Sequence, residues 1–295
     1  MSSIIYKKNK KFYILLCLPA IVFYTLSVLY PLIGVTLPAS FFNWNILEGT
    51  KQFNGIENYI RLFKEEAFRD AMFFTLKLAV VTVLGSNILA FMVAYFLQAK
   101  IFAKGLSRAG FFIPNIINGI MVSFVWSFIF IQGIPILAKK IGFEKLASLS
   151  WFGTPSMAAV SVFIVTIWQG MGFIMIIYVA GMQSVSQELI EAAELDGCNR
   201  LQKVLYVVIP MMMPTITVCL FVSIAGAFKA FDIPFALTSG GPSRSTATVA
   251  LNIYDTAFTS FRTGYASAKS IVLFILVMIV ALIQLRCTRK KEVQL

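Results

Sequence analysis

The chain has 295 residues, of which 59% are hydrophobic and 13% charged. A charged share about half the ~25% usual for soluble proteins excludes an ordinary globular domain of this length. The net charge of +12 does not mark nucleic-acid binding either, because basic residues gather at the ends of apolar runs, where they set membrane topology.

From the N-terminus, Lys7, Lys8, Lys10 and Lys11 lead into an uncharged run over 12–47. Its length and its prolines favour a retained helix over a cleaved secretory signal. Further runs without Asp, Glu, Lys or Arg cover 78–99, 109–138, 146–187, 204–228 and 270–285. A spanning helix needs roughly 20 mostly apolar residues, so five runs qualify directly. The last qualifies if 265–268 join it and Lys269 snorkels to the interface. The expected fold class is all-α, a polytopic membrane bundle of six transmembrane helices. Six spans put both termini on one side, and Arg286, Arg289, Lys290 and Lys291 match the basic N-terminus in making that side cytoplasmic. The expected plan is a basic segment 1–11, a first helix with its outer loop over 12–69, a transmembrane core over 70–286 with a cytoplasmic loop at 184–209, and a tail over 287–295.

Within the first outer loop, Ile56, Tyr59, Ile60, Phe63 and Ala67 recur at helical spacing. They predict an amphipathic helix at the outer interface, either packed on the membrane or meeting an external protein. Lys229 and Asp232 lie three residues apart near the outer end of the fifth span. Two readings are open for them, a local ion pair or a part in transport. No Asp, Glu or His lies mid-span, which weighs against a proton-driven carrier working alone. The chain has no histidine and no Cys-x-x-Cys pair, which weighs against zinc sites and His-based catalysis. No intramembrane nucleophile with a base is present, so a membrane-embedded enzyme is disfavoured and no catalytic residue or metal ligand is expected.

The cytoplasmic loop carries four acids within 188–196. Helical spacing puts Glu188, Glu191 and Glu194 on one arc, with Leu189, Ile190, Ala192 and Ala193 mostly opposite. Gly197 is suited to ending this helix, and Asn199 to capping a second. The result is a compact helix–turn–helix, which by physics alone is either a solvated loop or a docking knob.

Glu191-Ala192-Ala193, then Gly197, then Val207, Ile209 and Pro210 resemble the cytoplasmic coupling motif of binding-protein-dependent ABC importer permeases. Ser186 stands where a proline is common in that motif. The segments "FFIPNIINGIMVSFVW", "IWQGMGF", "AGMQSVSQELIEAAELDG" and "FDIPFALTSGGPSRST" resemble, in order, the maltose-type carbohydrate branch of that family. So do "GIENYIRLF" and "YDTAFTSFRTGYASA".

The resemblance implies a type I importer permease fold in the bacterial inner membrane. It implies two ATP-binding subunits, a second permease subunit forming a heterodimer, an external solute-binding protein and a carbohydrate cargo moved by alternating access. Glu188, Glu191, Ala192, Ala193, Asp196 and Gly197 would couple to the ATPase, with Glu191 meeting a basic residue there. The chain lacks a Gly-x-x-x-x-Gly-Lys-Ser/Thr loop, so it is expected to bind no cofactor, with ATP and Mg held by the partner. A sugar asks for aromatic faces and for amide or hydroxyl groups. Trp168, Gln169 and Phe173 on the fourth span, and Ser223, Phe228 and Phe231 on the fifth, are candidates on chemistry. The resemblance places the pathway at Gln169, Gly170, Phe173, Ser223 and Ala227.

Overall fold

Apolar runs of this length have one stable solution in lipid, a helix that satisfies its own backbone. The computed structural model describes residues 10–98 and 104–290. Lys7, Lys8 and Lys291, which entered the topology argument, lie outside these residues. Five single helices are long and apolar enough to cross a membrane: α1 (Leu15–Ala39), α3 (Glu66–Phe96), α5 (Gly119–Lys140), α6 (Pro155–Met182) and α12 (Thr263–Arg289). A bent pair, α8 (Arg200–Met211) and α9 (Met213–Phe228), makes the sixth span. The chain divides into two units, Met1–Lys64 with Ile253–Val272, and Glu65–Asn252 with Leu273–Leu295.

In the first unit, α1 exposes apolar side chains all round, among them Leu15, Leu16, Phe23 and Leu26, as a lipid-facing helix does. An unexpected antiparallel hairpin follows, β1 (Phe42–Asn45) paired with β2 (Thr50–Phe53). Lys51 lies over the rings of Phe42 and Trp44 at 4.8 and 5.0 Å. The amphipathic helix exists as α2 (Glu57–Lys64), but Ala67 belongs to α3. Its inward face is also not the apolar stripe. Asn58 and Leu62 are buried, while Ile56, Ile60 and Phe63 are exposed. The Asn58 amide donates to the carbonyls of Ser40 and Phe42, each at 2.9 Å, so polar satisfaction decides which side turns in. Lys269 also departs from expectation. It is 1% exposed, and its ammonium donates to Thr256 Oγ1 at 3.0 Å and lies 4.5 Å from the Tyr265 ring centre. An internal hydroxyl and an aromatic face replace the expected snorkel to water.

In the second unit, α3 packs along α6 through small residues. Ala90 and Ala94 meet Met171, Ile174, Met175 and Tyr178 in one core cluster. Phe74, Leu78, Val122, Phe130, Val162 and Val165 form another. Ala79, Val83, Ala227 and Phe228 form a third, backed by Leu273, Leu276, Val277 and Val280 of α12.

Two expected spans are broken. The run over 109–138 splits into α4 (Lys104–Ile116) and α5, with Asn118 capping α5 by accepting from the Ile120 N–H at 2.8 Å. The fifth span bends by 76° between α8 and α9. Pro210 and Pro214 each remove a backbone donor on either side of Met212, which adopts φ −90° and ψ 3°.

Candidate functional site

Polar side chains inside a spanning helix are expensive unless they pair or face a cavity. In the second unit such residues converge from four segments of chain on one cavity of about 340 Å³. Gln169, Gly170 and Phe173, near the middle of α6, line it, as do Ser223 and Ala227 on α9 and Phe231 just beyond. Trp168 and Phe228 lie elsewhere. Trp168 packs edge-on against Trp126 at 5.4 Å. Phe228 is buried in the cluster with Ala79 and Val83.

Gln169 has a definite task. Its Nε2 donates at 2.8 Å to the carbonyl of Ile117, which sits at the break between α4 and α5 and has no helical N–H to receive. That bond fixes the amide orientation and turns Oε1 the other way. Close packing holds the wall in place: Gly172 lies so near α4 that a Cβ would fall on the Phe111 carbonyl oxygen.

The cavity also contains residues that sequence reasoning passed over. Thr82 and Ser86 come from α3, Asn115 from α4 and Thr166 from α6. Thr75, Thr82 and Ser86 occupy a buried stripe of α3 at spacings of seven and four; that polar periodicity inside an apolar helix was the available signal. Lys229 and Asp232 line the cavity too. They do not pair. Lys229 ends α9 and Asp232 begins α10 (Asp232–Thr238), so the single-helix spacing behind an ion pair does not apply. An ion pair does join Lys203 to Glu194.

Behind the Ser223 wall, a buried hydrogen-bond chain joins three helices. The Tyr178 hydroxyl donates to Asn87 Oδ1 at 2.8 Å, and Asn87 Nδ2 donates to Ser223 Oγ at 2.9 Å.

The covalent link from α6 to α9 is the acidic loop. Ser186 caps α7 (Gln187–Leu195), its hydroxyl accepting from the Glu188 N–H at 3.2 Å. Gly197 follows at φ +79°. Its N–H donates to the Glu194 carbonyl and the Cys198 N–H to the Ala193 carbonyl, both at 3.0 Å. This paired pattern is a Schellman stop. Asn199 and Gln202 then form a reciprocal capping box that starts α8. Lys203 reaches back to Glu194 and ties the two short helices together.

The structure thus brings Glu188, Glu191, Ala192, Ala193, Asp196 and Gly197 into one elbow. All are exposed except Ala193. Leu195, at 90% exposure, stands among the acids.

A membrane bundle with a polar-lined cavity between its helices and an exposed helical elbow defines the class of transport permeases. Residues 87–292 match the family of binding-protein-dependent transport system inner membrane components, and the chain belongs to that family: it is a permease subunit of an ABC importer, an inner-membrane component.

A probable starch degradation products transport system permease protein, AmyD, of Thermoanaerobacterium thermosulfurigenes is 33% identical over 290 residues, 98% of this chain and 97% of that protein. The multiple sugar-binding transport system permease protein MsmF of Streptococcus mutans is 36% identical over 254 residues, 86% of this chain and 87% of that one. A bacterial ABC transporter structure involved in alginate import matches with a TM-score of 0.80 at 20% identity, covering 97% of each chain. That likeness establishes the type I importer permease fold.

Proposed function

We propose that this subunit conducts a sugar or oligosaccharide through the cavity between α6 and α9, driven by ATP hydrolysed on separate subunits that grip the elbow. The observation that carries this reading is connectivity. The elbow is the direct link between the two helices that present Gln169, Gly170, Phe173, Ser223 and Ala227 to the cavity. A rigid displacement of a capped, ion-paired elbow has to move the ends of both.

The full machine would hold two permease subunits, this one paired with a different chain, two ATP-binding subunits and an external solute-binding protein. Both termini and the elbow would face the cytoplasm. ATP and Mg would sit on the partner, and this chain would hold neither. Sugar as cargo is supported by the relatives AmyD and MsmF, whose names specify starch degradation products and multiple sugars. Alternating access follows if ATP favours one arrangement of the helices and the loaded binding protein the other.

Among the described residues Glu191 receives one long amide bond, from Gln187 at 3.3 Å, and is otherwise exposed, so it is placed to accept a cation from a partner. Glu191→Lys is expected to insert and fold normally, to abolish uptake, and to weaken co-purification of the ATP-binding subunit roughly tenfold or more, as loss of a charge-assisted bond does. Normal uptake together with normal co-purification would remove the elbow from the mechanism.

A further inference from the structure

A cavity selects cargo by the hydrogen-bonding groups it leaves unspent after its own internal bonds are made. A hydroxyl carries one proton and two acceptor sites. Thr82 Oγ1 donates its proton to the Leu78 carbonyl at 2.6 Å, Thr166 Oγ1 to Val162 at 2.7 Å, and Ser223 Oγ to Cys219 at 2.6 Å. These bonds run back one helical turn and take the only proton each group has. All three line the cavity; Thr82 and Thr166 keep both acceptor sites, and Ser223 keeps one, the other being taken by Asn87 Nδ2.

The amides lean the same way. Gln169 spends an N–H on the Ile117 carbonyl and Asn115 spends one on the Gln169 carbonyl, at 2.8 and 3.4 Å. Among the described residues neither side-chain oxygen has a hydrogen-bond partner. The Asp232 carboxylate is acceptor-only and is held close by Gly119, where a Cβ would lie 2.8 Å from the Asp232 Cβ. The remaining donors are the Ser86 hydroxyl, one N–H on each amide, and Lys229, which lines the cavity together with Asp232, so the lining carries one cation and one anion and no net formal charge.

We infer that the cavity selects neutral saccharides, whose hydroxyls donate into this wall of lone pairs, over sugars carrying carboxylate or sulfonate groups. A sugar hydroxyl matches an acceptor wall because it brings a proton. An anionic substituent brings only lone pairs, faces Asp232 with like charge, and leaves the wall's acceptors unmatched after desolvation. This selection rests on the proposed role of the cavity as the sugar pathway, and it names the class of sugar.

Saturation-transfer NMR on the full chain in lipid nanodiscs tests it, because that method reads weak saccharide binding without a binding protein filtering the cargo. The probes are maltose and maltotriose, each compared with the same saccharide oxidised at one C6 to a carboxylate. The expected result is transfer to the neutral saccharides and about tenfold or more weaker binding of the oxidised forms, the size of an unmatched buried polar group. Asp232→Asn, which replaces an anionic acceptor with a donor-bearing amide, should raise binding of the oxidised forms. Asp232→Lys should raise it further.

Oxidised saccharides binding as well as the neutral ones in the unsubstituted chain would overturn the selection while leaving the pathway in place. The same holds if neither Asp232 variant alters the ratio. Absence of transfer to every saccharide would instead overturn the sugar pathway itself, and the selection with it.

Discussion

Replacing Gly197 with alanine isolates one physical term. A Cβ built on this residue meets nothing within 4 Å, so the substitution adds no clash. It does force an L-residue to hold φ +79°, which costs roughly 1–2 kcal/mol in the left-handed region. That cost falls on the two bonds of the helix stop, from the Gly197 and Cys198 N–H groups to the Glu194 and Ala193 carbonyls. A free-energy change of that size speeds local opening by about 5- to 30-fold. Hydrogen exchange in nanodiscs, followed on peptides covering 193–200, reads it directly.

Asparagine tolerates the left-handed region better than alanine, and valine less well. The expected exchange order is therefore Gly197, then Asn, Ala and Val, with the spanning helices unchanged. Alanine exchanging at the glycine rate would refute the conformational argument. Exchange quickened across α3 and α6 would show that the elbow and the spans unfold as one unit. Uptake should decline in the same order if the elbow transmits force, and uptake held constant across the series would leave the turn a purely local stop.

Other parts of the structure give sharper packing tests. Gly172→Ala pushes a methyl into the Phe111 carbonyl, so α4 and α6 must part. Overpacking of this kind costs roughly 1–3 kcal/mol, and a melting temperature equal to that of the unsubstituted chain would deny the contact. Tyr178→Phe removes the hydroxyl that donates to Asn87 Oδ1 and strands a buried acceptor, at about 1–3 kcal/mol. The loss should shrink when Asn87→Leu is combined with it, whereas a purely additive pair would argue against the hydrogen bond. Asn199→Ala breaks the capping box at the start of α8 at a cost of roughly 1 kcal/mol. Faster exchange confined to 200–203 is expected there, and no change would mean the ion pair Lys203–Glu194 alone holds that end.

The elements legible in the amino-acid string are those whose cause is local. Six spans follow from runs free of charge, since a hydrocarbon environment asks only for length and low polarity. The elbow is legible for a similar reason: a left-handed stop at Gly197 and a cap at Asn199 are decided within four or five residues. Even Ser186, read as a departure from a familiar pattern, serves α7 through its own hydroxyl.

Direction was decided only by the tertiary structure. In lipid both faces of a span are apolar, so periodicity carries little information about which side turns inward. Asn58 rather than Ile60 faces the chain because two backbone carbonyls near residue 41 needed donors. Lys269 stays buried because Thr256 and Tyr265 await it. Thr82, Asn115, Gln169 and Ser223 share one wall although 141 positions separate Thr82 from Ser223. Hydropathy settled that this chain crosses the membrane and where its runs are interrupted. Long-range packing settled which polar groups share the cavity, because the helices that carry them meet only in the folded chain.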